Sequence, residues 1–555
     1  MDAMLVLSAA EMKACDRATA EQFGVSSVDL MRAASRALAG FARERFPEAR
    51  RVTVLCGRGN NGGDGMMAAR LLSDAGAQVT TILLGEPSGL QGDAAIAWQE
   101  LVSCQRGSIH VVLSGEGLPH LSGALETDLL VDAVLGTGFK PPLKGLALEA
   151  REWVSGTNAP VLSVDLPSGW PADSTDLSPV DAVFPSDAVV TFTAPKLAHV
   201  YGQLTRKLFQ PVVVAPIGSP EEAVDSALKV EWAGSAMALL RAPRAVDSNK
   251  GKFGHVLVVG GMFGAVEGKA GAPAMAALGA LRIGAGLVTA AVPVAAMPVV
   301  SAIAPELMTW GLEMSAEGAI SDENLATGKI DTLLTGKSVL AIGPGLGQTP
   351  ETERFTAGLL SATNLPAVID ADALNILARN LELLAKLAKG RALVLTPHPG
   401  EMARLTGLSV ADIQANRLEN ARSFAVRMGV TLVLKGARTL VAHPDGRVVV
   451  NTTGNPGMAK GGSGDLLTGF IAGMLAQFPA DAARAVDAAV YLHGLAADLA
   501  VRDGDEHTLL ATDCLRYLPL AFKAGVSHLH NSGTSGYVWI QGLRRDGEVD
   551  GEVWA

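Results

Sequence analysis

Short apolar runs alternate with helical stretches along most of this chain, and that alternation limits the fold more than any other feature. The runs lie at 51–56, 78–84, 129–134, 161–164, 188–193 and 211–214. Apolar strands separated by helical crossovers predict a parallel sheet with helices packed against it. Between 218 and 254 the pattern lapses into SPEE, APRAVD and SNKGKFG. A second series then starts at 255–259 and continues at 287–292, 339–342, 367–369, 392–395, 431–434 and 447–450. The chain therefore reads as α/β in two tandem domains, 1–225 and 226–525. The segment 526–555 shows little amphipathic pattern and is expected to be an atypical, flexible tail.

A length of 555 residues exceeds what one hydrophobic core usually serves, which agrees with two domains. With 48% hydrophobic residues, 62 glycines and 18% charged residues, the chain is a folded α/β protein with many turns. A net charge of −11 argues against a nucleic-acid or anionic-membrane surface, while leaving room for local phosphate pockets. Cys15, Cys56, Cys104 and Cys514 show neither CxxC spacing nor a paired His pattern, so no disulfide framework or zinc site is expected, and a reducing cytoplasm fits best. The first residues carry no basic region of a signal peptide; Ser8 and Glu11 instead spell a capping box. The uncharged stretch 283–305 contains Gly284, Gly286, Pro293 and Pro298, and reads as a helix end, a buried strand and a loop, not as a membrane span.

The segment 450–469, VNTTGNPGMAKGGSGDLLTG, ends a strand and opens a helix through Gly461-Gly462-Ser463-Gly464-Asp465. Free N–H groups at a helix N-terminus favour phosphate, and glycines let it approach the backbone. An Asp one residue later can take the proton of an attacking hydroxyl, an arrangement suited to phosphoryl transfer. The same run also serves as a plain tight turn with a cap, so context decides. Four more loops follow strands in this half: 343–347 (GPGLG), 369–375 (IDADALN), 396–401 (TPHPGE) and 435–439 (KGART). Asp370 and Asp372 can either join a site or cap the helix after them. In the first half, 57–65 (GRGNNGGDG) contains GxGxxG between strand and helix, and Asp132 and Asp165 stand at two further strand ends. Carboxyl ends of parallel strands face one crevice, so these loops are expected to share it.

NNGGDG at 60–65, DAVLGTGFK at 132–140 and DLPSG at 165–169 resemble the signature loops of the NAD(P)H-hydrate epimerase family, over about residues 5–220. The resemblance implies a Rossmann-like αβα sandwich in which Asn60, Asn61, Gly62, Gly63 and Asp64, together with Gly136, Thr137, Gly138, Phe139 and Asp165, hold a hydrated dinucleotide. It also implies potassium on Asn61, Asp132 and Ser168, with Lys140 and Asp165 as acid and base at C6 of the nicotinamide ring. Pro141-Pro142 departs from the family pattern.

The loops of the second half, from about 250 to 524, are similar to those of ADP-dependent NAD(P)H-hydrate dehydratases, which have a ribokinase-like α/β fold. That resemblance assigns Lys435, Gly436, Ala437, Arg438, Thr439 and Gly464 to the nucleotide. Ala272, Gly345, Gly347, His398 and Asp465 fall to the hydrated cofactor, with Asp465 as base and Mg2+ accompanying ADP. Together the two halves imply a bifunctional repair enzyme that is cytoplasmic and homo-oligomeric, with no nucleic-acid or membrane partner. It epimerises R and S hydrates of NAD(P)H and dehydrates the S form with ADP, releasing AMP and phosphate. The alternative is a ribokinase-like small-molecule kinase carrying a non-catalytic nucleotide-binding module. ADP against ATP, and NADH hydrate against NADPH hydrate, are left open.

Overall fold

The computed structural model describes residues 3–326, 328–529 and 536–543. Two compact units emerge: Met4–Trp232 with the segment beginning at Ser527, and Ala233–Val526. The division falls at 232/233 and not at 225/226, and the described residues 536–543 belong with the N-terminal unit.

In the N-terminal unit the first seven strands run, across the sheet, Ser108–Val112, Gln78–Leu84, Arg51–Cys56, Leu129–Ala133, Val161–Val164, Ala188–Phe192 and Val212–Ala215, all parallel. Numbered along the chain, that is the order 3-2-1-4-5-6-7, the doubly wound order in which ligands bind where the sequence of strands reverses. Here the reversal lies between Arg51–Cys56 and Leu129–Ala133. Side-chain alternation along the strands builds a core on each face: Val54 and Cys56 join Met31, Leu38 and Met66 on one, and Leu55 joins Ala150, Val154 and Leu130 on the other. The capping box forms as expected, with Ser8 Oγ accepting from Glu11 N–H at 3.2 Å and Glu11 Oε2 accepting from Ser8 N–H at 2.8 Å.

The expectation of a loose tail is corrected for its described part. Val538–Gln541 is an eighth strand, antiparallel to Val212–Ala215. Tyr537 and Trp539 pack into the core, and the Tyr537 hydroxyl donates to Ala37 O at 2.6 Å. A four-residue strand buried on both faces carries no amphipathic alternation, which is why the pattern was silent. The remainder of 526–555, at 530–535 and 544–555, lies outside the described residues.

The C-terminal unit runs Met308–Leu312, Leu287–Pro293, His255–Val259, Val339–Ile342, Ala367–Ile369, Leu393–Leu395 and Thr431–Leu434 in parallel, continued by the antiparallel strands Leu440–Ala442 and Val448–Val450. Its reversal lies between His255–Val259 and Val339–Ile342. Helix Ser463–Gln477 is buried along almost its whole length and lies directly on helix Gly271–Arg282. Glycines permit that approach: a Cβ on Gly469 would stand 2.0 Å from Ala276 O. The stretch 283–305 begins at a helix C-cap and continues into the buried strand Leu287–Pro293. Among the described residues no single helix is long and apolar enough to cross a membrane.

Candidate active sites

The polar loops of the N-terminal unit open into a cavity of about 1520 Å³ at the reversal of strand order. Asn60, Asn61, Asp64, Gly136, Thr137, Gly138, Phe139, Lys140 and Asp165 all line it. Gly62 and Gly63 are buried and do not. Their role is steric, since a Cβ on Gly62 would stand 1.9 Å from Gly57 O and block the turn into helix Asn60–Asp74.

Of the three expected ion ligands, Asp132 and Ser168 bond each other directly, while Asn61, in the cavity lining, is joined to them through Leu135. Ser168 donates to Asp132 twice, from N–H to Oδ2 at 2.8 Å and from Oγ to Oδ1 at 2.6 Å. Leu135 links them to the next loop: its N–H donates to Ser168 Oγ at 2.8 Å and its carbonyl accepts from Asn61 Nδ2 at 3.0 Å. Asp132 is wholly buried, and burial pushes its carboxyl up to about 6 despite those hydrogen bonds. Among the described residues no Lys or Arg pairs with it. A buried carboxylate with hydroxyl, amide and carbonyl oxygens from three loops is a donor set that fits a hard monovalent cation.

Asp165 is held differently. Its Oδ1 accepts from Lys196 Nζ at 2.9 Å and from Thr191 Oγ1 at 2.7 Å, while Lys196 Nζ also reaches Thr191 Oγ1 at 2.8 Å. Burial alone would raise the Asp165 carboxyl, but the Lys196 ammonium together with the other groups around it, including the hydrogen bonds from Lys196 and Thr191, outweighs that and leaves Asp165 below the usual carboxylate range. His199 accepts the Lys196 N–H at Nδ1 (2.9 Å), which fixes its proton on Nε2, facing Asp165 O at 2.7 Å. Burial, reinforced by Lys196, lowers His199 to about 4, so the ring is neutral. Asp16 and Asp64 share the cavity; burial raises both, most strongly Asp64, to which Asp165 and Asp16 add repulsion. Lys196, His199 and Asp16 were not expected from sequence. Lys196 follows a recognised strand, so the strand-end rule reaches it; Asp16 sits on helix Ala9–Phe23 and left no such signal.

In the C-terminal unit the centre is Asp370. Its Oδ1 accepts from Lys435 Nζ at 3.0 Å and Thr396 Oγ1 at 2.7 Å, and its Oδ2 from Thr468 Oγ1 at 2.8 Å. Its side chain makes no capping bond to the helix it precedes, so the capping reading of Asp370 is set aside. Asp372 spends its carboxylate on the 343–347 loop instead, accepting from Gly347 N–H at 2.9 Å. Gly345 has φ 64°, and its added Cβ would stand 3.2 Å from Ala272 Cβ, which places these two expected cofactor residues in contact. His398 caps helix Pro399–Thr406, Nδ1 accepting from Gly400 N–H at 3.0 Å.

Gly462, with φ 95°, turns the chain into helix Ser463–Gln477. A Cβ on Gly464 would stand 3.3 Å from Lys435 Nζ, so that ammonium lies against the helix N-terminus, on the same side as Asp370. Burial, then the charge of Asp370, push Asp465 up to about 6, with Lys435 opposing. Lys435 is raised: burial would lower it, but Asp370, Glu401 and Asp465 prevail. Elsewhere in the 435–439 loop, Arg438 donates to Thr452 O at 2.7 Å and Thr439 Oγ1 to Gly436 O at 2.9 Å; Ala437 is exposed. Asp370 takes the first of its two expected roles, joining the site; Thr396, Thr468 and Glu401 are the residues to which sequence assigned no role.

Two α/β units, each with polar loops at the carboxyl ends of parallel strands, define a two-site α/β enzyme. Residues 27–198 match the family described as YjeF-related protein N-terminus, and residues 256–520 match the family described as NAD(P)H-hydrate dehydratase. The bifunctional NAD(P)H-hydrate repair enzyme of Moorella thermoacetica is 39% identical over 94% of this chain and 97% of its own. That of Escherichia coli K12 is 34% identical over 90% of both. The crystal structure of an ADP/ATP-dependent NAD(P)H-hydrate dehydratase from Bacillus subtilis, co-crystallised with ATP and Mg2+, is 34% identical, covering 52% of this chain and 97% of its own with a TM-score of 0.44. The chain belongs to the family of bifunctional NAD(P)H-hydrate repair enzymes. Relatives that span both halves leave no support for a kinase with an inert first module.

Proposed function

We propose that the N-terminal site interconverts the R and S hydrates of NAD(P)H, and that the C-terminal site dehydrates the S form using ADP. The observation that carries the second half is Asp465, on the first turn of helix Ser463–Gln477, half-buried, with its carboxyl near 6 and Lys435 and Asp370 beside it. Such a carboxylate is ionised at neutral pH and still basic enough to accept a proton. It takes the proton of the C6 hydroxyl while that oxygen attacks the terminal phosphorus of ADP and AMP departs. Phosphate then leaves C6 as the N1 lone pair forms C6=N1, and loss of a C5 proton restores C5=C6. Helix N–H groups and Lys435 offset the charge on the transferring group. Mg2+ would arrive with the nucleotide phosphates, which usually supply much of its coordination.

In the N-terminal site, Asp165 removes the C6 hydroxyl proton as the C6–N1 bond opens and Lys140 protonates N1. Reclosure on the other face of the carbonyl, with both protons returned, gives the second epimer. Lys196 keeps Asp165 ionised for this step. Potassium would sit on Asn61, Asp132 and Ser168 and tie their loops together. The test is to supply purified protein with mixed R and S hydrates and either ADP or ATP, and to follow reduced-cofactor absorbance. Recovery beyond the S fraction requires both activities; recovery of none rejects the reading.

A further inference from the structure

Asp165 has φ 63° and is the centre of a γ-turn, closed by Leu166 N–H donating to Val164 O at 2.8 Å. A non-glycine residue in this conformation is strained and persists only where its surroundings over-determine it. One restraint is His199, whose Nε2–H donates to Asp165 O at 2.7 Å. His199 in turn sits on Leu197–Tyr201, a helix of 5 residues and too short to be rigid alone. The far side of that helix is met by Gln541, whose Nε2 donates to His199 O at 2.5 Å and to Gly202 O at 3.0 Å. Gln541 is buried at 8% exposure and ends strand Val538–Gln541, itself anchored by its pairing with Val212–Ala215 and by Trp539 in the core.

We propose that Gln541 is a positioning residue for the reaction of the N-terminal site, acting through helix Leu197–Tyr201 and His199 on Asp165 and Lys196. It lies outside the cavity lining and acts only through other residues. A carboxamide suits the place because one NH₂ group satisfies two carbonyls, which a carboxylate cannot do. The inference rests on Asp165 being the base of that site. It makes the epimerising half incomplete in residues 4–232, since its last restraint is encoded after the dehydrating half.

The test uses full-length Gln541→Glu, which removes both donors at constant shape, and Gln541→Met, which removes them without burying a charge. Pure R hydrate is supplied with ADP and an excess of full-length Asp165→Asn chain as coupling enzyme, so that appearance of reduced cofactor reports epimerisation. Rates are taken well below the thermal midpoint and normalised to the folded fraction. Misplacement of reacting groups by a distant change costs up to about a hundredfold, so kcat for epimerisation is expected to fall by about 10–100-fold with KM little changed. Dehydration of pure S hydrate by the same variants stays at the parental rate. A parental epimerisation kcat in Gln541→Met overturns the proposal, including when its thermal midpoint is lowered, because the residue would then be merely structural. Epimerisation by Asp165→Asn alone is a separate failure, which rejects the reading of Asp165 and not the strap.

Discussion

At the scale of single residues the two sites use opposite electrostatics. Asp165 touches an ammonium directly and is pulled below the ordinary range, whereas for Asp465 the opposing charge of Lys435 is overcome and burial and Asp370 carry it up to about 6. Asp465→Asn keeps shape and loses the base; dehydration of S hydrate is expected to fall about 10²–10⁴-fold with epimerisation intact. Wild-type-like dehydration in that variant would remove Asp465 from the mechanism. The pH profile follows from the same carboxyl. Asp465 acts ionised, so its contribution to kcat/KM is full above about 6 and declines about tenfold per unit below it. A dehydration profile that is level down to pH 4.5 contradicts the assignment. Asp465 was legible because it follows a glycine-rich run that opens a helix, and Asp165 because it stands at the end of a strand. Lys196 and Asp370 were legible only as positions: what makes them matter is a buried partner 31 or 65 residues away, and spacing along the chain does not encode that.

Secondary-structure elements show the same division. Continuous apolar strands in the middle of each sheet announce themselves, since both faces are buried. The strands overlooked, Ser108–Val112, Val230–Trp232, Met308–Leu312, Leu440–Ala442 and Val538–Gln541, are edges or short pieces in which polar residues interrupt the run or too few residues show a period. Helix contacts were equally hidden, because Gly469 and Gly473 look like poor helix formers until the partner backbone is seen. Their added Cβ atoms would stand 2.0 Å from Ala276 O and 2.7 Å from Ala280 O. Gly469→Ala therefore forces helix Ser463–Gln477 off helix Gly271–Arg282, and overpacking of this kind costs about 1–3 kcal/mol. Since Asp465 rides on the displaced helix, dehydration should weaken along with the thermal midpoint of the C-terminal unit, while epimerisation is spared. An unchanged midpoint would mean that the two helices do not pack this closely.

For the whole molecule, joining the two activities makes sense because one site accepts a single epimer and the other replenishes it. Asp165→Asn, or Lys140→Ala, should leave a chain that repairs the S hydrate and stalls once that pool is spent, so a mixed substrate gives a fast phase and then a plateau. Full recovery at the parental rate in both variants would refute the N-terminal assignment. Potassium offers a test that does not depend on turnover. Asp132, Ser168 and Asn61 come from three loops already linked through Leu135, and Asp132 is a buried carboxylate with no cationic side chain against it among the described residues. An ion bound only by the folded form stabilises it by mass action, by roughly 2.7 kcal/mol at a hundredfold excess over the dissociation constant. The unfolding transition of the N-terminal unit, followed in the full-length chain because its eighth strand lies at 538–541, should rise with potassium relative to a bulky organic cation at equal ionic strength. Asp132→Ala removes the one formal charge among the three proposed ligands and should flatten that rise. A potassium response that survives Asp132→Ala would place the ion elsewhere, and would leave the dinucleotide cavity and the Asp165–Lys196 pair standing.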